Sequence, residues 1–251
     1  MDRLSIDRAA AILVKARRSG EQLSGLPDKL KPASIADAHA IQDATTAMLG
    51  KLIGGFKAMN PAEGEPTRGI IYAGTIMATP ADMAVWVVPQ CGVEGEVAFI
   101  FRTAFPPRQT PYTREEVAAG VDACAAIEVV SGRFAVDAKV TNLEKLADSI
   151  INGGLVHDMP KKDWRGLDLG KLKVTLTVNG QVVLQQDGGH PTGDPLGVAT
   201  ALVNMWQQNG GVRAGQFVTC GSFTGLKFLQ PGDVCGVTFE GLGSCRVEFT
   251  V

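Results

Sequence analysis

The sequence has few cysteines, no long run of hydrophobic residues and no recognisable leader. The five cysteines are odd in number and none of them are spaced as CxxC, which argues against a disulfide framework or a zinc knuckle and favours reduced, mostly structural thiols. No apolar run approaches the roughly 18 residues of a membrane helix, and residues 1–6 lack the basic region and apolar stretch of a secretory signal. We therefore expect a cytoplasmic protein with no membrane partner.

The sequence also lacks an excess of charge of either sign. Lysine and arginine number 24 against 26 aspartate and glutamate residues, so no chain-wide positive field exists to attract nucleic acid. Hydrophobic residues make up 45% of the chain and charged residues 20%, which is typical of a globular protein with a large core. Because no internal repeat or low-complexity linker interrupts the chain, residues 1–251 predict a single domain whose partner is a small molecule.

Helix and strand patterns occupy different parts of the chain. Residues 1–50 predict two helices, the second opening at Ser34 with a variant of the capping box. Short strands and glycine turns follow from residue 52 onward. Within that part, residues 93–101 alternate as a strand, residues 173–184 form a hairpin around Asn179-Gly180, and Asp194-Pro195 opens a further helix of about four turns.

Three glutamates form a candidate metal site. Glu94 and Glu96 are two apart on a strand, so their carboxylates leave one face with Cα atoms about 6.5 Å apart, although such a pair is more often a solvent-facing polar edge. Glu128 stands in the otherwise uncharged stretch 125–130, where an unpaired carboxylate is costly to bury. A metal ion removes the repulsion among the three carboxylates. Oxygen ligands without histidine or cysteine favour Mg²⁺ or Mn²⁺ over zinc.

Three further residues have both a structural and a functional interpretation. Lys57 is a lone cation in the apolar segment 53–59, either a snorkelling surface lysine or a proton carrier whose pKa is lowered by desolvation and by the metal. Ser222 lies among small residues that can hold a carboxylate, or that simply form a tight turn. His190 is a candidate base or ligand, but a loop histidine more commonly orients nearby backbone.

The absence of several common motifs narrows the chemistry. The sequence contains no GxSxG elbow and no phosphate-binding loop, and its glycine pairs lack the strand-turn-helix setting of a dinucleotide fingerprint. This argues against nucleophilic serine catalysis and nucleotide chemistry.

The spacing of the glutamates resembles that of a known family. Glu94-Gly95-Glu96, followed about thirty residues later by Ile127-Glu128-Val129-Val130, resembles the hydratase and decarboxylase branch of the fumarylacetoacetate hydrolase superfamily. Supporting motifs extend over nearly the whole chain: Ala38-His39-Ala40-Ile41-Gln42, Gly55-Phe56-Lys57, Gly189-His190-Pro191, Thr219-Cys220-Gly221-Ser222, Pro231-Gly232-Asp233 and Gly241-Leu242-Gly243-Ser244. The resemblance implies an α+β fold, a mixed β-sheet roll with flanking helices, on which the helical segment 1–50 packs. It also implies a homo-oligomer.

The resemblance carries expectations about activity. It implies a hydratase of aromatic catabolism that binds Mg²⁺ or Mn²⁺ on Glu94, Glu96 and Glu128. The 1-carboxylate and 2-oxo oxygen of a 2-oxopent-4-enoate or 2-hydroxypenta-2,4-dienoate substrate chelate the metal, and water adds at C4 to give a 4-hydroxy-2-oxo acid. Lys57 and Asp148 are then catalytic residues, Lys57 in proton transfer. Ser222, Gln42 and Arg68 are then substrate-binding residues.

Three segments depart from the family pattern and leave further activities open. They are Ala58-Met59-Asn60-Pro61 in place of a segment rich in Gly, Thr and Ser, Pro66-Thr67-Arg68-Gly69 in place of a Pro-Asp-Gly stretch, and Asp148-Ser149 in place of an Asp-Asn pair. The alternatives left open are a decarboxylase that acts on an oxalocrotonate-like diacid and a carbon–carbon bond hydrolase that acts on an acylpyruvate. A third alternative is a non-catalytic subunit that binds a 2-oxo acid. Arg68 is the candidate partner for the distal carboxylate of a diacid.

Overall fold

The computed structural model describes residues 1–251 as five α-helices and thirteen β-strands. The helices are α1 (Arg3–Ser19), α2 (Ile35–Leu49), α3 (Arg114–Ala119), α4 (Asn142–Ala147) and α5 (Pro195–Trp206). The strands are β1 (Ile53–Met59), β2 (Thr67–Tyr72), β3 (Ile76–Ala78), β4 (Ala81–Ala84), β5 (Gly92–Phe101), β6 (Val121–Val130), β7 (Asn152–His157), β8 (Lys173–Val178), β9 (Gln181–Asp187), β10 (Phe217–Ser222), β11 (Lys227–Phe228), β12 (Val234–Phe239) and β13 (Gly243–Thr250). None of the helices combines the length and apolar character that a membrane crossing requires.

The strands form two mixed sheets. The larger has the order β2-β1-β10-β5-β6-β7-β3, with β11 beside β5, and the smaller has the order β4-β13-β12-β8-β9. Parallel pairs, such as β1 with β10 and β13 with β4, occur beside antiparallel ones. Most of the buried apolar side chains form one cluster that includes residues of both sheets, among them Phe99 and Val237. The predicted α+β fold with mixed curled sheets and flanking helices is confirmed.

Local signals in the sequence fix several element boundaries. Ser34 caps α2 as predicted, because its side chain accepts a hydrogen bond from the Asp37 backbone N–H. The hairpin of β8 and β9 turns at Asn179 and Gly180, which both have the positive φ that the pair predicts. Helix α5 begins at Pro195, after the N-cap Asp194, as predicted, but it is shorter than predicted because residues 207–209 form a 3₁₀ turn. All five cysteines are free and buried.

The two predicted N-terminal helices are also confirmed. They pack against each other and against α4 through a second apolar cluster, which includes Leu13, Ile41 and Leu146. The segment joining α4 to β7 follows directly and reaches the candidate active site through Ile150.

Candidate active site

The pairing of β5 with β6 brings the three glutamates together. Glu94 lies directly opposite Glu128 in the antiparallel register, and Glu96 lies two residues along the same face of β5. One carboxylate oxygen from each residue lies within 4.8 Å of the others. Gly95 faces the second sheet, where a Cβ would lie 2.7 Å from Val237 Cγ2. The glycine between the two glutamates therefore lets the smaller sheet pack closely behind the site.

Burial leaves these carboxylates short of hydrogen-bond donors. Glu96 and Glu128 are both 0% exposed, which excludes a solvent-facing polar edge. Glu96 Oε2 accepts from the Gly221 backbone N–H at 2.8 Å, and Glu128 Oε1 accepts from Asn152 Nδ2 at 2.9 Å. Glu96 Oε1 and Glu128 Oε2 have no hydrogen-bond donor. Buried acceptors of this kind are rare unless a cation satisfies them.

Lys57 provides the one ammonium group in the cluster. It reaches the glutamates from β1, and its Nζ lies 3.0 Å from Glu94 Oε2 and 3.1 Å from Glu128 Oε2. The contact with Glu128 is close but lies outside the angular range of a hydrogen bond. Lys57 is buried, which excludes the snorkelling surface lysine. Three carboxylates and one ammonium, when ionised, leave two unbalanced negative charges, which a single divalent cation neutralises.

The pKa values of the cluster reflect this crowding. Desolvation by burial, with repulsion from Glu128 next, raises the pKa of Glu96 well above its usual value. Desolvation, together with repulsion from Glu94, also raises the pKa of Glu128. For Lys57, desolvation is the largest single effect and lowers the pKa, but the three carboxylates together outweigh it, so the pKa is raised. The pKa of Lys57 is therefore raised in the metal-free chain, and the lowering expected from the sequence, which includes the effect of the metal, stays a prediction.

A cavity of about 270 Å³ opens beside the cluster. Its lining comprises Lys57, Met59, Asn60, Pro61, Glu94, Glu96, Ile150, His190, Pro191, Thr192, Val198, Cys220, Gly221 and Ser222. The charged lining residues are Lys57, Glu94 and Glu96, and the remaining walls are apolar or neutral and polar. The cavity therefore combines a small charged region with an uncharged wall, a common composition for a small-molecule site.

An irregularity in β10 shapes the wall beside Glu96. The pairing of β10 with β5 shifts between Thr219 and Ser222, and Gly221 adopts a φ of 120° that directs its N–H to Glu96. The Ser222 hydroxyl lies in the cavity wall, buried and without a hydrogen-bond partner. The hydroxyl therefore has unused hydrogen-bonding capacity, and the substrate-binding role of Ser222 stays a prediction.

His190 lines the cavity but is held by backbone groups. Its Nδ1 accepts from the Thr192 N–H at 3.3 Å, so Nε2 carries the proton and donates to the Cys220 carbonyl at 2.7 Å. Burial lowers the pKa of His190, which keeps the ring neutral. The residue thus fixes its loop against β10, which favours the orienting role over catalysis.

Gln42 and Arg68 do not line the cavity. Arg68 binds both oxygens of Asp43, at 2.7 and 2.9 Å, and lies 4.5 Å from the Trp206 ring centroid. Gln42 accepts from Arg68 Nη1 at 3.0 Å and donates to the carbonyls of Arg68 and Leu146. Both side chains therefore tie α2 to β2 and to the end of α4, and neither is available to a molecule in the cavity.

Asp148 is also absent from the cavity lining. Its carboxylate accepts from the Arg133 backbone N–H at 2.8 Å, from Arg133 Nε at 2.6 Å and from Arg17 Nη2 at 3.2 Å. The group is fully enclosed by these partners. In this structure Asp148 anchors the segment that leads into β7, and does not itself contact the cavity.

The sequence gives no sign of two residues that complete the site. Asn152 holds Glu128 by the hydrogen bond from its Nδ2, and Ile150 forms part of the cavity wall. Asn152 begins β7, and its contact with Glu128 on β6 depends on a shift of register between Val129 and Val130. Neither motif spacing nor residue pattern marks such a contact.

The fold and the buried acidic cluster define an α+β protein with a carboxylate site of the kind that holds a hard divalent cation. The chain belongs to the fumarylacetoacetate hydrolase family, since the family's C-terminal domain, Fumarylacetoacetate (FAA) hydrolase C-terminal, matches residues 40–250. The resemblance recognised in the sequence is thereby confirmed.

Relatives within this family carry several activities. The chain is 27% identical to the 2-keto-4-pentenoate hydratase of Paraburkholderia xenovorans over 256 residues, covering 97% of this chain and 94% of the relative. It is 27% identical to the 2-hydroxyhexa-2,4-dienoate hydratase of Comamonas testosteroni, covering 99% of both chains. It is also 29% identical to the 4-oxalocrotonate decarboxylase of Pseudomonas putida, covering 53% of this chain and 51% of that relative.

Solved structures share the fold. The 4-oxalocrotonate decarboxylase of Pseudomonas putida G7, complexed with magnesium and adipate, superposes with a TM-score of 0.85 at 20% identity, covering 99% of this chain and 98% of the other. The fumarylpyruvate hydrolase of Pseudomonas aeruginosa, in complex with Mn²⁺ and pyruvate, superposes with a TM-score of 0.60 at 12% identity. The superposition covers 80% of this chain and 90% of the other.

Proposed function

We propose that this protein is a divalent-metal-dependent hydratase of aromatic catabolism. It adds water to a 2-hydroxy-2,4-dienoate, or its 2-oxo-4-enoate tautomer, to give a 4-hydroxy-2-oxo acid. The observation that carries the proposal is the buried cluster of Glu94, Glu96 and Glu128 around Lys57, beside a cavity whose other walls are uncharged. The hydratase relatives, aligned over nearly their whole length, support the same activity.

The residues present fit a divalent metal. Glu94, Glu96 and Glu128 would hold it, because two of their buried oxygens lack donors and the cluster has two unbalanced negative charges. An all-oxygen site is suited to Mg²⁺ or Mn²⁺, and both ions occur in structures that share this fold. When bound, the ion supplies Lewis-acid stabilisation of negative charge on the substrate's 2-oxo oxygen.

The chain's own residues account for the proton transfers. Lys57 donates a proton from Nζ to C5 of the dienol and regains the proton that the enol hydroxyl releases, so that a conjugated 2-oxo-3-enoate forms. The oxygen of water then bonds to C4, and the proton that this water loses is taken up at C3. The Ser222 hydroxyl, free of other partners, donates to the substrate carboxylate and orients it.

The charges of the cavity favour a substrate with a single carboxylate. The distal carboxylate of an oxalocrotonate-like diacid needs its own cation, yet Lys57 is the one cationic residue in the lining. Arg68 is bound to Asp43 and does not line the cavity. A diacid would therefore leave one carboxylate unpaired, which should weaken its binding relative to a substrate with a single carboxylate.

A hydrolase and a non-catalytic subunit have less support than the hydratase. An acylpyruvate hydrolase needs a base that activates water at the acyl carbon, and both ring nitrogens of His190 are already bonded to backbone groups. A non-catalytic subunit that binds a 2-oxo acid could use Ser222 in the same way, and it has less support because the relatives aligned over nearly their whole length are named as hydratases.

Product analysis tests this assignment. Metal-loaded protein is incubated separately with 2-hydroxypenta-2,4-dienoate and with the vinylogous diacid 2-oxohex-3-enedioate, and products are followed by proton NMR together with carbon dioxide release. We expect 4-hydroxy-2-oxopentanoate from the first substrate and no carbon dioxide from the second. Carbon dioxide release from the diacid with an inert dienoate would instead establish a decarboxylase. No product from either substrate would overturn the hydratase assignment.

A further inference from the structure

The segment between α4 and β7 has an unusual backbone. Ser149, Ile150 and Ile151 have φ angles of 57°, 53° and 54°, so three consecutive residues other than glycine adopt the left-handed conformation. L-amino acids avoid this region because Cβ approaches the following carbonyl oxygen, and β-branched residues avoid it most strongly. Such a conformation persists only where the surrounding structure holds it, and it is concentrated at functional sites.

Contacts on both sides hold this left-handed turn. At its start, Asp148 is fixed by Arg133, and the Asp148 carbonyl accepts from the Ile151 N–H at 3.0 Å. The Ser149 carbonyl packs against Gly69, where a Cβ would approach the oxygen to 2.3 Å. At the end of the turn, the Ile151 carbonyl accepts from the Ser131 N–H at 3.0 Å. The backbone of the turn is thus tied to two other segments, residues 131–133 and β2.

The two isoleucines of the turn point to different surroundings. Ile150 lines the cavity and also packs against the apolar cluster of the N-terminal helices. Ile151 packs over Gly132, where a Cβ would lie 2.8 Å from Ile151 Cγ2, and it is not part of the cavity lining. Asn152, the next residue, holds Glu128. One turn therefore positions both a cavity wall and a glutamate of the cluster.

We propose that Ile150 is a specificity-determining residue that limits the length of the substrate's apolar tail. The inference rests on the proposed function, in which the 2-oxo acid end of the substrate lies at the glutamates. The tail is then left to the uncharged wall formed by Met59, Pro61, Ile150, Pro191 and Val198. Met59 is unbranched and adaptable, whereas Ile150 has a stiff β-branched side chain on a fixed backbone. Ile150 therefore yields less than Met59 to a longer tail.

The test compares Ile150→Ala with Ile151→Ala. Both remove the same atoms from the same left-handed turn, but Ile150 alone of the two contacts the cavity. Calorimetry measures binding of 2-oxopentanoate and 2-oxooctanoate, which cannot be hydrated, to the Mn²⁺-loaded protein. We expect Ile150→Ala to raise the affinity for the longer acid relative to the shorter one by about tenfold or more. Ile151→Ala should leave that ratio within about twofold of wild type.

An unchanged ratio in Ile150→Ala, or an equal change in Ile151→Ala, overturns the inference. If the alanine variant does not fold, Ile150→Gly provides the same test, because glycine accepts the positive φ. Turnover of 2-hydroxypenta-2,4-dienoate by the same preparations tests the proposed function separately. Binding that follows the expected lengths without turnover refutes the hydratase but keeps Ile150 as the limiting wall, whereas no binding of either acid to wild type refutes the inference.

Discussion

Replacing Glu96 by glutamine is expected to stabilise the metal-free protein, although it removes a predicted metal ligand. Glu96 is fully buried, one of its oxygens has no donor, and Lys57 contacts the other two glutamates instead. Glutamine has nearly the same shape and keeps an oxygen for the Gly221 N–H. The substitution therefore removes the least compensated charge of the cluster and leaves its packing in place.

The size of the effect follows from the cost of a buried charge. Replacing a whole buried ion pair or triad by uncharged residues of similar volume is often neutral or stabilising by about 1–4 kcal/mol, and we expect a similar gain at Glu96 because Lys57 does not contact it. For a chain of this length, each kcal/mol corresponds to roughly 2–4 °C in Tm. An increase of about 2 kcal/mol at pH 8 therefore raises Tm by roughly 4–8 °C.

The pH dependence has a definite sign. Because the pKa of Glu96 in the folded chain is raised above the ordinary value of 4.5, the folded protein holds a proton that the unfolded chain releases. The stability of the metal-free wild type consequently falls as pH increases from about 4.5 towards the raised pKa. Glu96→Gln should flatten that decline.

Thermal unfolding in EDTA, followed by addition of Mn²⁺, measures both effects. Mn²⁺ should raise the Tm of the wild type, and it should raise the Tm of Glu96→Gln much less. Glu144→Gln is the matched control, because Glu144 is equally buried but accepts from Leu26 and Thr141, so an amide there should destabilise the protein. A lower Tm for Glu96→Gln than for wild type in EDTA at pH 8 would show that the Glu96 charge is compensated without a metal, contrary to this prediction.

Three other substitutions test neighbouring parts of the structure. Asn152→Ala removes the donor to Glu128 and should weaken Mn²⁺ binding about 10–100-fold, as measured by paramagnetic resonance of the free ion; unchanged affinity would contradict it. Asp148→Ala leaves the buried Arg133 unpaired and should lower the free energy of unfolding in urea by about 3–5 kcal/mol. An unchanged free energy of unfolding would contradict this prediction. Burial lowers the pKa of His39 to about 4 from 6.5, so stability should fall as pH decreases through that interval, and His39→Gln should remove this slope.

Sequence patterns predicted the parts of the site that depend on a single element. Alternation along β5 placed Glu94 and Glu96 on one face, and an isolated charge in an apolar run marked Glu128 as buried. Capping residues and the Asn179-Gly180 turn likewise report local geometry. In each case the information lies within a few residues of the feature.

Features that depend on pairing between distant segments were not accessible in this way. The sequence alone predicts that Arg68 is free to bind a substrate, but Asp43 binds it across the contact between α2 and β2. The family resemblance implies a catalytic role for Asp148, but the ion pair with Arg133 encloses its carboxylate. The left-handed conformation of Ile150 runs against its intrinsic preference, so propensity predicts the opposite of what the tertiary contacts impose.

The most direct measurement is an ultraviolet assay of metal-stripped protein with freshly generated 2-hydroxypenta-2,4-dienoate, titrated with Mn²⁺ or Mg²⁺, for wild type, Glu128→Ala and the control Glu144→Gln. We expect a loss of the dienol absorbance that requires the metal, is abolished in Glu128→Ala and persists in folded Glu144→Gln. Turnover that is independent of added metal, or that survives in Glu128→Ala, would contradict a catalytic metal held by the three glutamates.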